Sequence, residues 1–333
     1  MARHASADPP GLPAVVTAAQ AQAAGISHDM VAARVSAGRW VRLHRGVFLR
    51  LEATLTAPRD AEQRDLMHVY SALGAAAARP GSVVSHSSAA LALRLPLVSG
   101  TPAVPHLTAP PTAPSGPRAG VIAHRRGIRA GDASVVDVHD IWRDPARGEP
   151  LRSGQAPAPA LGLVTSPSRT VLDVARTASL ADALSVGDRA IRSGLVTPGQ
   201  LADDLIVLDD RPGTRRAALA LAHLDGGRES SLESFSFAYF LECDLPLPEV
   251  QVVIELATGQ IARVDFLWRE FGVIGEADGA MKYRGQHDLL MQGQRETLLR
   301  DLGYVIVRWT WADIASGRLF HRLLSVLGMA RAA

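Results

Sequence analysis

Cysteine is nearly missing from this chain of 333 residues: a single one, Cys243, rules out an internal disulfide and a cysteine-rich zinc site, and fits a reducing compartment. Lysine is as scarce. Lys282 stands alone among 35 basic residues, the rest being arginine, so it is either kept for its chemistry or left by a composition biased toward arginine. No window reaches the roughly 18 unbroken apolar residues of a membrane span, and the first residues lack the charged-then-apolar pattern of a secretory signal. A cytoplasmic protein without membrane contact is the expectation. The 11 histidines fall without metal-ligand spacing and no glycine-rich phosphate loop occurs, so no small-molecule cofactor is evident. What remains is 47% hydrophobic and 20% charged with a net charge of +2, enough apolar material for two or three domains and too little charge to argue for nucleic acid by itself.

Three composition regimes follow one another. Residues 1–58 read as a winged helix: an Ala-rich segment ends at Gly25, Ser27 caps a second helix that runs to Gly38, and "RWVRLHRGVFL" alternates large and basic residues before turning at a glycine. Residues 59–225 are mixed α/β. Helices are expected over "AEQRDLMHVYSALGAAA", after Ser87 or Ser88 as cap, from the Ser–Pro start of "VTSPSRTVLDVARTA", and over "LADALSVGDRAIRSG". In the third of these, Arg169 and Asp173 are spaced to meet on one helix face. The loops "TAPPTAPSGPRAG" and "ARGEPLRSGQAPAPA" are each expected to join two short strands. Residues 226–333 read as helix, three antiparallel strands, helix, strand, helix, a compact α/β unit. The fold class is therefore mixed α+β.

The third regime gathers acids. Glu276 and Asp278 share one face of the strand "VIGEADG", Asp265 on the preceding strand can reach Glu276 across a short hairpin, and Glu233 can lean in from the helix before them. Like charges this close need a cation or a shared proton. Asp265, Glu276 and Asp278 would suit magnesium, a hard ion that takes carboxylates and water, and with Lys282 nearby they are the parts of a phosphodiesterase. Ordinary ion pairs with Arg263, Arg284 or Arg308 are the plain alternative.

The order Glu233, Asp265, Glu276-x-Asp278-Gly279, then a helix and "LGYVIVRWTW", resembles a PD-(D/E)XK nuclease-type domain, closest to those related to very-short-patch-repair endonucleases. The resemblance implies a restriction-endonuclease-like fold and a Mg-dependent cut, with Glu233, Asp265, Glu276, Asp278 and Lys282 as catalytic residues. The chain departs from the family in having Asp278 where a lysine is expected; Lys282, four residues on, either returns to the site or faces solvent.

The head is locally basic, with six arginines against Asp8 and Asp29 in the first fifty residues. In a winged helix the early residues of the second helix, here His28 and Asp29, face base edges, and Arg34, Arg39, Arg42 and Arg45 would hold phosphates. Val31, Val35 and Trp40 are expected to pack inward. The segment "TAAQAQAAGISHDMVAARVSAGRWVRLHRGVF" resembles the head of AbiEi-type antitoxins of type IV toxin–antitoxin systems, and "VVSHSSAALALRLPL" with "VTSPSRTVLDVAR" resembles the middle of actinobacterial members. That resemblance implies DNA binding at the protein's own promoter and a cognate toxin as partner. Two expectations stand side by side: a regulator with an inert tail, and a nuclease delivered by its head. The "SHSS" segment at 85–88 is read as a helix cap and not as a Ser–His pair, since side chains adjacent on one backbone seldom face each other.

Overall fold

The computed structural model describes residues 7–55, 60–112, 120–143, 158–208, 212–279 and 286–329, with the backbone alone for 286–291. In the head, β1 (Val15–Thr17) leads into α1 (Ala18–Ala23), α2 (His28–Ser36), β2 (Trp40–His44) and β3 (Val47–Arg50). Both helix starts follow from their caps. Thr17 accepts from the Gln20 N–H while Gln20 reaches back to the Thr17 N–H, and Ser27 accepts from the Met30 N–H. The strands form an antiparallel sheet in the order β1-β3-β2, a winged-helix-like element with one strand more than the two read from the sequence. Strand alternation splits its core. Val16, Trp40 and Phe48 pack with Ile26 and Val31 under the helices, while Val15, Val47 and Leu49 face the other way, into the middle of the molecule.

The middle begins with α3 (Asp60–Ala77), on which the wing rests, and continues as β4 (Val83–Val84), α4 (His86–Ala92), β5 (His106–Ala109), β6 (Ile122–Arg125), β7 (Ala133–Asp137), α5 (Val138–Arg143), β8 (Leu161–Thr165), α6 (Pro167–Thr177), α7 (Leu180–Arg192), α8 (Pro198–Val207) and α9 (Thr214–Leu221). Its sheet runs β6-β5-β4-β8-β7, with β4 parallel to β8 and β5 parallel to β6. The first Pro-rich loop joins strands β5 and β6 as expected. The second does not join two strands: helix α5 precedes it, because Val138, His139 and Trp142 repeat at helical spacing and are all buried. Neither α8 nor α9 was read from the sequence, although Thr197 and Pro198 form an ordinary cap and first helical position.

The third part opens with α10 (Ser231–Glu242) and proceeds through β9 (Glu249–Glu255), β10 (Ile261–Trp268), β11 (Val273–Ala277), α11 (Gln286–Asp301), β12 (Val305–Trp309), α12 (Trp311–Ala315) and α13 (Arg318–Val326). The order expected from the sequence is the order found, except that the closing helix is two, α12 and α13, separated at Gly317. The sheet is β12-β11-β10-β9, antiparallel except that β12 returns parallel to β11 through α11. One face carries Phe240, Phe266, Trp268 and Trp309; the other packs Val264, Ile274 and Ile306 against Leu299 of α11. Ala181 and Leu184 of α7 belong to the aromatic core, so the middle and the tail are fused through a shared apolar layer. No helix among the described residues is long and apolar enough to cross a membrane.

Candidate nucleic-acid interface and acidic centre

The arginines of the head separate into two sets. Arg34 and Arg50 turn inward onto Asp8, whose side chain is 1% exposed: Arg34 Nε donates at 2.7 Å, Arg50 Nε at 2.8 Å and Trp40 Nε1 at 2.9 Å. Burial alone would raise the Asp8 carboxyl, but these three donors hold it well below the usual carboxylate range. The Arg34 guanidinium also lies over the Trp40 ring, so the sequence expectation that Arg34 holds phosphate is corrected. Its position toward the end of α2, facing Trp40, places it in the core and out of reach of a ligand. Arg39 is half-buried and within electrostatic reach of Glu52.

The second set is open to solvent. His28 and Asp29, in the first turn of α2, have side chains 93% and 102% exposed, and the rest of that face carries Met30, Ala32, Ala33 and Ser36. Small residues there let a helix approach closely. Arg42 is exposed on β2 with its guanidinium 5.7 Å from the Phe48 ring centre, and Arg45 is exposed at the β2–β3 turn, where Gly46 takes a positive φ of 72°. The wing is steadied from behind: His44 contacts the Ser71 carbonyl at 3.1 Å and Leu43 packs into the core beneath.

In the tail the hairpin carries Asp265 toward Glu276, one step beyond the Phe266–Gly275 pair. Asp265 Oδ2 accepts from the Ala277 N–H at 2.9 Å, while Gln251, a non-glycine residue at φ 51°, donates to Glu233 at 2.8 Å and lies 3.4 Å from Asp265 Oδ1. Burial, and then the charges of Glu233 and Glu276, push the Asp265 carboxyl up to about 6. Glu233 is buried and saturated, taking the Ser230 hydroxyl at 2.7 Å and the Glu229 N–H at 2.9 Å as well as Gln251. Glu276 is held between Arg308 at 2.9 Å and Arg295 at 3.0 Å. Asp278 lies past the end of β11, half-buried, with its N–H on the Trp309 carbonyl.

Glu233, Asp265 and Glu276 are thus neighbours, but the expected magnesium site of Asp265, Glu276 and Asp278 is not assembled. Among the described residues no three His, Cys, Asp or Glu side chains are placed to hold a metal ion. As arranged, the carboxylates do not fit magnesium, because two guanidinium groups already neutralise Glu276 and backbone and amide donors occupy Asp265 and Glu233. Arg263, another candidate partner, pairs with Glu229 at 2.8 Å. Lys282 and Arg284 lie outside the described residues.

A third polar centre lies where the two middle motifs meet; of it the sequence reading caught the Arg169–Asp173 pair, which forms at 2.9 Å, and missed the rest. Asp173, fully buried on α6, takes Arg169 at 2.9 Å and Arg176 at 3.2 Å, and Arg169 reaches on to Asp132 at 2.6 Å. His86 Nδ1 lies 3.9 Å from Asp173, its ring stacks on His124 at 3.5 Å, and His124 Nε2 is 3.1 Å from His106 Nδ1. Contrary to the sequence reading, the adjacent Ser85 and His86 side chains do meet, at 2.9 Å, because His86 takes a left-handed φ of 52°. The expected cap at Ser87 or Ser88 is also corrected. Ser85 is the N-cap residue, without a side-chain cap bond, and Ser88 instead contacts His68 at 2.8 Å and accepts the His106 N–H at 2.8 Å. Burial holds His86 far below the ordinary histidine range and His68 and His124 at about 4. Beyond the R-x-x-x-D spacing of Arg169 and Asp173, the signal available in the sequence was His86 at the head of an Ala/Leu-rich run.

Comparison with known proteins places the head most firmly. Residues 14–50 match the family model described as transcriptional regulator, AbiEi antitoxin. Two Mycobacterium tuberculosis proteins, MT2308 of strain CDC 1551 / Oshkosh and Rv2248 of strain ATCC 25618 / H37Rv, are each 31% identical to this chain over 173 residues, covering 51% of it and 64% of their own length. The match therefore spans somewhat less than two thirds of those relatives. Among solved structures, the crystal structure of RV2827C protein from Mycobacterium tuberculosis covers 73% of this chain and 83% of its own at 19% identity, with a TM-score of 0.34 that carries no argument.

Proposed function

We propose that this chain is a DNA-binding transcriptional regulator of the AbiEi antitoxin kind, acting in the cytoplasm with a cognate toxin as its protein partner. One coincidence carries the reading. The segment that matches the antitoxin family is the segment that leaves His28, Asp29, Arg42 and Arg45 exposed around the start of α2 and the wing. In this reading α2 enters the major groove, His28 and Asp29 meet base edges, and Arg42 and Arg45, with Arg39 at the margin, hold phosphates. The units 1–58, 59–225 and 226–333 work as a fused body, since the inner face of the head sheet packs into the middle's core. The tail serves as a platform for a partner.

The test is fluorescence anisotropy with a duplex from upstream of the protein's own coding region. The double variant Arg42→Ala, Arg45→Ala is expected to lose affinity on all sequences and to flatten the dependence of log K on log salt by roughly 2, as for two lost phosphate contacts. His28→Ala is expected to relax preference for the operator with little change in that slope. Equal binding by wild type and the double variant at low and high salt would remove the wing from the interface and the reading with it.

A second reading keeps the tail as an endonuclease of the PD-(D/E)XK type. What favours it is the convergence of Glu233, Asp265 and Glu276 on one sheet end with Asp265 raised to about 6; what it requires is that Arg295 and Arg308 release Glu276. Plasmid incubated with magnesium or manganese separates the two. Cleavage abolished by Asp265→Ala or Glu276→Ala supports the nuclease, and intact plasmid beside tight promoter binding supports the platform.

A further inference from the structure

The outward face of α2 is short of the side chains that most often read DNA bases. Its one guanidinium, Arg34, is turned onto Asp8 and Trp40, and the helix "HDMVAARVS" contains no Lys, Asn or Gln. The bidentate contacts that pick out guanine or adenine are therefore closed to it. What α2 does present follows the helical period. Asp29, Ala32, Ala33 and Ser36 stand at i, i+3, i+4 and i+7 and are all exposed, while Val31 and Arg34 are buried on the other side. Among the described residues the Asp29 carboxylate meets only the His28 imidazole, at 4.0 Å.

Each of these groups has one kind of counterpart in a major groove. A carboxylate accepts hydrogen bonds and donates none, and among phosphates it is repelled unless a donor faces it. Only the exocyclic amines of cytosine and adenine donate there. Adenine sets its N7 acceptor beside the amine, which turns a carboxylate away, whereas cytosine offers its N4 amine without one. The His28 ring, 4.0 Å from that carboxylate, can bring an N–H to the O6 or N7 acceptor of the guanine in the same pair. Alanine methyl groups have nothing to hydrogen-bond, and the apolar feature of the groove is the thymine methyl. Ala32 and Ala33 lie one helical turn beyond Asp29, about 5 Å of rise, which is roughly one to two base-pair steps.

Resting on the DNA-binding reading, we propose that α2 recognises a C·G pair through Asp29 and His28, and thymine methyl groups one to two steps away through Ala32 and Ala33. Sequence is then read by a carboxylate, an imidazole and a pair of methyl groups, while Arg42 and Arg45 supply affinity that every duplex shares. Asp29 in the first turn also suits the helix dipole. That role alone would show in stability and leave base preference untouched.

Selection by the full chain from a pool of randomised duplexes gives the preferred site, and fluorescence anisotropy on the selected duplex tests the contacts. The site is expected to hold a C·G pair with T·A pairs within two steps of it. Replacing such a thymine by deoxyuridine removes only a methyl group, and is expected to weaken binding about fourfold where Ala32 or Ala33 covers it. Asp29→Asn can donate as well as accept, and is expected to move the preference at its position from C·G to A·T by roughly tenfold or more, with little change in Tm. Suppose instead that the selected site lacks the C·G pair, or that deoxyuridine and Asp29→Asn change nothing while the Arg42→Ala, Arg45→Ala variant still binds more weakly. Either result overturns this inference and leaves the DNA-binding reading standing, whereas failure to bind any duplex overturns both.

Discussion

Asp8 in the head and Asp265 in the tail are both carboxylates withdrawn from water, and their surroundings drive them in opposite directions. Asp8 meets two guanidinium groups and an indole N–H, so its charge is balanced and its carboxyl is held low. Asp265 meets Glu233 and Glu276, with a backbone N–H and a more distant amide for relief, and it is pushed up to about 6. The difference is that between a structural and a poised group. A balanced buried ion pair fixes geometry, whereas a group held away from its ordinary range by burial and then by like charges stores a penalty that a ligand, a proton or a partner can release.

The comparison breaks most visibly at Asp8. Asp8→Ala strands Arg34 and Arg50 in the core, and is expected to cost about 3–5 kcal/mol in urea unfolding and to remove DNA binding along with the fold of the head. Asp8 titrates below its ordinary value of 3.8, so its contribution is present above that pH and is lost as pH falls further.

Buried histidines act earlier on the acid side. His68 and His86 are neutral in the fold and lowered from 6.5, so the unfolded chain binds more protons as pH drops below 6.5, and each is expected to remove up to about 1.4 kcal/mol per pH unit until its folded value is passed. Asp265 works against them. Its folded carboxyl takes a proton near 6 and its unfolded one near 3.8, so its charged form weakens the fold as pH rises through that window. Asp265→Asn is accordingly expected to gain about 1–3 kcal/mol over wild type at pH 8, with the gain vanishing below pH 4 in paired calorimetric scans. A variant that is instead destabilised at pH 8 would show Asp265 to be balanced like Asp8. At the small end, Asp29→Ala removes an exposed carboxylate and is expected to move stability by no more than about 0.5 kcal/mol in the same urea assay, while leaving its mark on operator preference.

Much of the architecture was legible because its signals are local. Caps at Ser27 and Ser166, the glycine at the wing turn and the strand–loop–strand periods of the tail are each decided within a few residues, and they stand where the sequence put them. Helix α5 escaped because its six residues sit against a Pro-rich stretch and earn their helical state by burying Trp142. The sites were less legible. Arg34 and Arg45 look alike in the chain, and nothing nearby says that Asp8, 26 residues away, claims the first and leaves the second exposed.

From its own residue order, then, this protein determined a basic winged-helix-like head, a mixed α+β body and a sheet end rich in acids, since each depends on periodicity and short-range turns. Which charges are sealed in pairs and which are left facing one another only the tertiary structure decided. Electrostatic partners are chosen by distance in space, and in this chain the deciding contacts join residues tens of positions apart.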